Sequence, residues 1–177
     1  MSENENKSIW SEAGRSGLVL GGISIIYFLL ALIVPKIGNP FAVSVLSFLL
    51  WGAKLFLCIY MMRYFLFAEA KENGGKRSRT FKYGMAIAAC SALLYSAFCL
   101  AWTSLVQPDF YSDALEASMQ MYSGFMSADA MDMARNMEST MPTVAFFTNL
   151  IWCWIFGTVL SAIISSSICK PDDPFAE

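Results

Sequence analysis

Histidine is absent from all 177 residues. Its absence removes the commonest general base and the commonest metal ligand, so most hydrolytic and zinc-dependent mechanisms lose their usual apparatus. Charge is scarce as well. Only 15% of residues are Asp, Glu, Lys or Arg, whereas a soluble domain carries about 25%. The cysteines number five (Cys58, Cys90, Cys99, Cys153 and Cys169), an odd count with no CxxC pair. All lie in or at the ends of apolar stretches and read as small hydrophobes rather than as a disulfide framework or a metal set. No basic stripe with interleaved aromatics is present, which excludes nucleic acid as a partner. The N-terminal residues lack a basic segment ahead of a short apolar core, and no small-residue cleavage site follows, so no cleaved signal peptide is expected.

What the chain has instead is apolar length. Hydrophobic residues make up 56% of it, and they collect in stretches at about 17–34, 41–66, 82–106 and 143–168. A hydrocarbon core of ~30 Å needs about 20 helical residues at ~1.5 Å each, and every one of these stretches meets that length or comes close to it. The expected fold is an all-α integral membrane protein, a four-transmembrane-helix bundle forming a single membrane domain over 17–169. A polar N-terminal segment, 1–16, and an acidic tail, 170–177, flank it.

The cations are segregated. Lys71, Lys76, Arg77, Arg79 and Lys82 fill the connection between the second and third stretches, around Gly74-Gly75. The positive-inside rule places that loop in the cytoplasm, and with it both termini, adding Lys7, Arg15 and Lys170. Lys36 and Arg135 fall outside. The loop cluster also suits anionic lipid headgroups. Trp102, Trp152 and Trp154 gather toward the outer half, as in an aromatic belt.

Small residues recur at helical spacing in three stretches: Gly14, Gly17, Gly21 and Ser24; Gly84, Ala88, Ala92 and Ser96; Gly157, Ser161 and Ser165. Small-xxx-small stripes let helix backbones approach closely where lipid supplies no hydrophobic drive. The expected packing residues are Gly17, Gly21, Gly84, Ala88, Gly157 and Ser161, acting within the bundle or toward a protein partner or a second copy of the chain.

One residue in this apolar setting demands a reason. Lys54 lies near the middle of the second stretch, where a lysine costs roughly 2.5–3.5 kcal/mol on the insertion scale. Ser44, Ser47, Trp51, Cys58 and Met61 share its helical face. No Asp or Glu occurs within the other three stretches as bounded above, so its neighbours are expected to be dipoles: Ser24 and Tyr27, Ser91 and Tyr95, and Asn149. Lys54, Ser47, Tyr95 and Asn149 form the candidate intramembrane polar site.

Residues 107–141 make the one sizeable extracytoplasmic segment. Pro108 suits a first helical position, and Asp109 follows where the helix dipole favours an anion. Tyr111, Leu115, Met119, Tyr122 and Met126 face away from Asp113, Glu116 and Gln120. Gly124 breaks the pattern, and Ser127 caps a second short helix carrying Asp129 and Asp132. Two short amphipathic helices are therefore expected in this loop between the third and fourth spans. Its seven methionines, from Met119 to Met141, offer soft thioethers to Cu(I). With neither histidine nor cysteine beside them they read as flexible apolar filler, and no cofactor or metal is expected.

Phe81-Lys82-Tyr83-Gly84 opens the third stretch and Gln107-Pro108-Asp109-Phe110 closes it, with the basic, Gly-containing loop ahead. In these motifs and in its four-span layout the chain resembles the bacterial "domain of unknown function 4199" membrane proteins, common in the Bacteroidetes group. That family usually carries Asn before the proline, where this chain has Gln107. The resemblance covers nearly the whole chain and implies a multi-pass protein of the bacterial inner (cytoplasmic) membrane. It brings no activity and no catalytic residues.

The function expected from these observations is that of a non-catalytic scaffold or accessory subunit packing through its small-residue seams. The alternative is a small transporter or a protein handling an anionic lipid through Lys54. An intramembrane enzyme would need a paired nucleophile and base, and the chain shows none.

Overall fold

In lipid every backbone N–H and C=O must be satisfied within its own segment, so a long apolar stretch is driven to a helix. The computed structural model describes residues 3–72, 74–122, 132–133 and 136–169, and among them no strand occurs. Its main helices are α1 (Glu3–Ile33), α2 (Pro40–Glu72), α3 (Arg77–Ala101), α4 (Phe110–Tyr122) and α5 (Met141–Ile168). Among the described residues four segments are long and apolar enough to cross a membrane: Ile9–Ile33, Phe41–Glu72, Arg77–Val106 and Met141–Ile168. An all-helical architecture with four such segments suits a multi-pass membrane protein.

The breaks between helices have local causes. A short 3-10 turn, Val34–Ile37, follows α1 and ends at Gly38, whose φ of +77° suits a residue without a Cβ. Asn39 then caps α2: its Oδ1 accepts from the backbone N–H groups of Phe41 at 3.1 Å and Ala42 at 3.4 Å. Beyond α2, Gly74 and Gly75 take positive φ, and the Gly75 N–H donates to the Ala70 carbonyl at 2.7 Å, closing the helix end. After Ala101 the third helix widens into a π turn, Trp102–Val106, and the Gln107 N–H reaches back to the Trp102 carbonyl at 3.1 Å.

The chain divides into two compact units, Met1–Tyr95 with Ile151–Glu177, and Ser96–Leu150. The core of the first lies toward the α2–α3 connection and gathers Ile9, Ala13, Met62, Leu66, Ile87 and Ile164. Its make-up explains why α1 starts at Glu3 rather than near Gly17. Ile9 and Ala13 lie on the buried face one turn apart, and Ser16 shares a 3.0 Å hydrogen bond with Tyr83 of α3. A polar-looking segment with one apolar stripe is thereby recruited as helix. At the same end Arg79 donates to the buried Glu69 carboxylate at 3.1 Å, joining α2 to α3.

The small-residue seams are filled from inside this unit. A Cβ on Gly17 would stand 2.6 Å from Cys90 Cβ and 3.2 Å from the Ile87 carbonyl oxygen, so α1 meets α3 backbone to backbone. Gly21 faces Leu94, Gly84 faces Ser161 and Leu66, and Gly157 faces Ala88. Ser161 also donates from Oγ to the Phe81 carbonyl at 3.3 Å, a polar tie between α5 and α3. Gly14 faces open space, so it lies outside the α1 seam.

In the second unit, Thr103 Oγ donates back to the Cys99 carbonyl at 2.9 Å and hydrogen-bonds with the Tyr111 hydroxyl, tying α4 to the π turn. Burial pushes the Tyr111 phenol above its ordinary value, and the Thr103 bond opposes that shift in part. Helix α4 is amphipathic in the expected sense, with Asp113, Glu116 and Gln120 exposed and Tyr111, Leu115 and Met119 half-buried. The second amphipathic helix expected around Ser127 and Asp129, and with it Met126 and Met131, lies outside the described residues, as does the tail 170–177.

Candidate ligand cavity around Lys54

Within the first unit, α1, α2, α3 and α5 line an open-sided cavity of about 370 Å³. The volume lies within the ~300–1,000 Å³ of ordinary small-molecule sites. Each helix contributes from close to the middle of its spanning segment: Leu20 and Ser24, Lys54 and Cys58, Ser91 and Tyr95, Cys153 and Phe156. That places the cavity at the centre of the apolar zone, where polar lining is costly and ordinarily functional.

Among the described residues Lys54 is the one charged member of its lining. The ammonium stands 4.7 Å from the centroid of the Tyr27 ring and 5.2 Å from that of Tyr95. Two aromatic faces therefore hold the charge by cation–π attraction, each worth about 0.5–2 kcal/mol according to how fully it is desolvated. Tyr95 engages Lys54 through its ring face, where the sequence pattern suggested a hydroxyl. Among the described residues no carboxylate pairs with Lys54. The thiols of Cys58 and Cys153 lie within its electrostatic reach, and Cys58 hydrogen-bonds with Ser24.

The rest of the lining is mostly apolar, drawn from Leu20, Leu55, Met62, Ala88 and Leu160. Trp51 and Trp152 contribute to the wall yet remain 50% and 71% exposed, so they stand at its rim. A second crevice of about 170 Å³, between α1 and α2, shares Lys54 with the first, is bounded also by Tyr27, and is otherwise lined by aliphatic side chains. Lys54 thus separates a larger, partly polar space from a smaller apolar one.

Of the expected polar site, Lys54 and Tyr95 come together, and Ser24, Tyr27 and Ser91 join them. Ser47 is exposed, two helical turns before Lys54, and does not line the cavity. Asn149 is half-buried and belongs to the other compact unit. The contributions of Trp152 and Cys153 escaped sequence reasoning: a tryptophan in the outer half of a span is expected at the interface, and a lone cysteine carries no signal.

Away from this cavity, the carboxylates of Glu12, Glu69 and Glu72 converge to within 4.8 Å of one another at the α2–α3 end. Arg79 supplies the counter-charge on Glu69. Of the methionines proposed to offer thioethers, Met133 and Met137 are exposed.

The family described as "Protein of unknown function (DUF4199)" matches residues 15–170. No curated protein and no solved structure matches the chain.

Proposed function

We propose that this chain, which belongs to the DUF4199 family, binds an anionic amphiphile inside its helix bundle, with Lys54 as the counter-charge. The observation that carries the reading is a lysine ammonium lining a largely apolar cavity of about 370 Å³ with no carboxylate partner among the described residues. A charge in an apolar, partly buried setting needs an opposite charge or dipoles around it, and the two tyrosine rings supply only part of that requirement. An amphiphile delivers the missing anion and fills the apolar walls in one act. Handling of a lipid-soluble anion is therefore preferred to the scaffold role. The seams that suggested a scaffold are used up in joining α1, α3 and α5 of the same chain.

The topology proposed with this function keeps both termini and the Lys71–Lys82 loop on the cytoplasmic side of a bacterial inner membrane, on the strength of the cation distribution. The activity proposed is binding or passage, which an ammonium in a largely apolar cavity supports. The test is lipid mass spectrometry on protein purified in mild detergent. Wild type is expected to retain an anionic amphiphile at near-stoichiometric amount, and Lys54→Met to lose it while keeping its helical content. Equal retention by both would remove Lys54 from the function.

A further inference from the structure

We infer that the ligand is a single-chain monocarboxylate, its carboxylate on Lys54 and its hydrocarbon tail leaving between Trp51 and Trp152. This rests on the anion-binding reading above and specifies its chemistry. The first argument is charge. Among the described residues the lining carries one positive group and no negative one, so one negative charge restores neutrality. A phosphate monoester brings roughly −1.5 to −2 at neutral pH. Bound here, it would leave surplus charge uncompensated in an apolar interior, which is strongly disfavoured.

The second argument is the donor set. Phosphate recognition favours a guanidinium fork or several converging donors. Arginine is missing from this lining, and the donors beside Lys54 are the single hydroxyls of Ser24, Ser91 and Tyr95 and the thiols of Cys58 and Cys153. A carboxylate has two oxygens, which this set serves: one for the ammonium, one for a hydroxyl.

Size supplies the third argument. At ~30 Å³ for each water-sized group, a cavity of about 370 Å³ holds roughly a dozen heavy atoms. That accommodates a carboxyl group and the first part of one alkyl chain. A phosphodiester lipid, also singly charged, must seat a larger headgroup and lead two chains rather than one through the opening. The remainder of a long chain must leave the cavity, and the exposed Trp51 and Trp152 mark where its wall meets the outside.

The experiment uses the full chain in lipid nanodiscs and 9,10-dibromostearate, whose bromines quench tryptophan fluorescence at short range. Saturable quenching is expected, displaced by unbrominated stearate and not by stearyl alcohol. Trp152→Phe should remove a large part of the saturable component, and Lys54→Met should weaken the apparent affinity at least tenfold. Stearoyl lysophosphatidate should compete at least tenfold more weakly than stearate. If lysophosphatidate or phosphatidylglycerol competes as well as stearate, and Lys54→Met abolishes both, the anion site stands and the monocarboxylate assignment falls. Displacement by the alcohol as effective as by the acid overturns the assignment too, since charge would then contribute nothing. Should wild type show only the unsaturable quenching expected of fatty acid dissolved in the bilayer, both readings fall. The stearate competition needs no variant, so a failure of any variant to fold leaves that outcome intact.

Discussion

A lysine near the middle of a spanning helix costs about 2.5–3.5 kcal/mol to insert, and the two rings around Lys54 return roughly 1–4 kcal/mol between them if each behaves as a desolvated cation–π contact. The two figures overlap, so the residue sits near neutrality in stability. Lys54→Met is accordingly expected to shift the thermal midpoint in detergent little, equivalent to ~1 kcal/mol or less, while removing the anion site. The rings can be isolated by a double-mutant cycle pairing Tyr27→Leu or Tyr95→Leu with Lys54→Met. A coupling energy of about 0.5–2 kcal/mol for each ring is expected; coupling indistinguishable from zero would show that packing alone places the tyrosines there. A second residue-scale prediction concerns Tyr111, whose phenol burial pushes above its ordinary value of 10.0. A phenol with a raised folded-state pKa lends stability that is fully present below the unfolded value and is lost as pH rises through the folded one. The attachment of α4 should therefore hold across neutral pH and loosen only above about 10. Tyrosinate absorbance should show a late-titrating phenol in wild type that Tyr111→Phe lacks.

At the scale of elements, close backbone approach is the force joining α1 to α3 and α3 to α5, because the seams leave no room for side chains. The glycines differ in what they meet, and this sets the sign of each substitution. Gly17→Ala drives a methyl against Cys90 Cβ and the Ile87 carbonyl, so it is expected to destabilise by about 1–3 kcal/mol, as overpacking does. Gly22→Ala meets nothing within 4 Å and should be neutral or stabilising by up to ~1 kcal/mol, since alanine restrains the helix better than glycine. Thermal midpoints of the two variants in one detergent decide the matter; equal shifts would mean that α1 and α3 do not pack through Gly17. The Glu69–Arg79 link is the polar counterpart at the α2–α3 junction. Arg79→Ala removes the counter-charge from a buried carboxylate that lies beside Glu12 and Glu72, so it should lower the midpoint more than Arg77→Ala does. The difference should be about 1–3 kcal/mol, below the fully buried range because the arginine is 38% exposed.

For the molecule as a whole, the proposed orientation has a direct readout. In a cysteine-free background, Ser78→Cys should resist a membrane-impermeant thiol reagent in intact spheroplasts and react after permeabilisation, while Asp113→Cys should react in both. Labelling of the Ser78 position in intact cells would invert the topology and with it the face from which the cavity is reached.

Helical class, the presence of four long apolar helices and the cost attached to Lys54 were legible in the residues alone, because apolar length and isolated charge act locally and need no partner to be read. So was the face that Lys54 shares with Trp51 and Cys58, which follows from helical period. Tertiary structure decided what that period cannot reach. Ile9 and Ala13 became helix because α2, α3 and α5 bury them, so the polar segment expected at 1–16 is helical from Glu3. The small-residue stripes could have served a partner; side chains of the same molecule occupy them. Lys54 could have sought hydroxyls, and it found the faces of Tyr27 and Tyr95, 27 and 41 residues away along the chain. Which face of one helix meets which face of another depends on steric fit among all four at once, and a single-helix pattern does not contain that information.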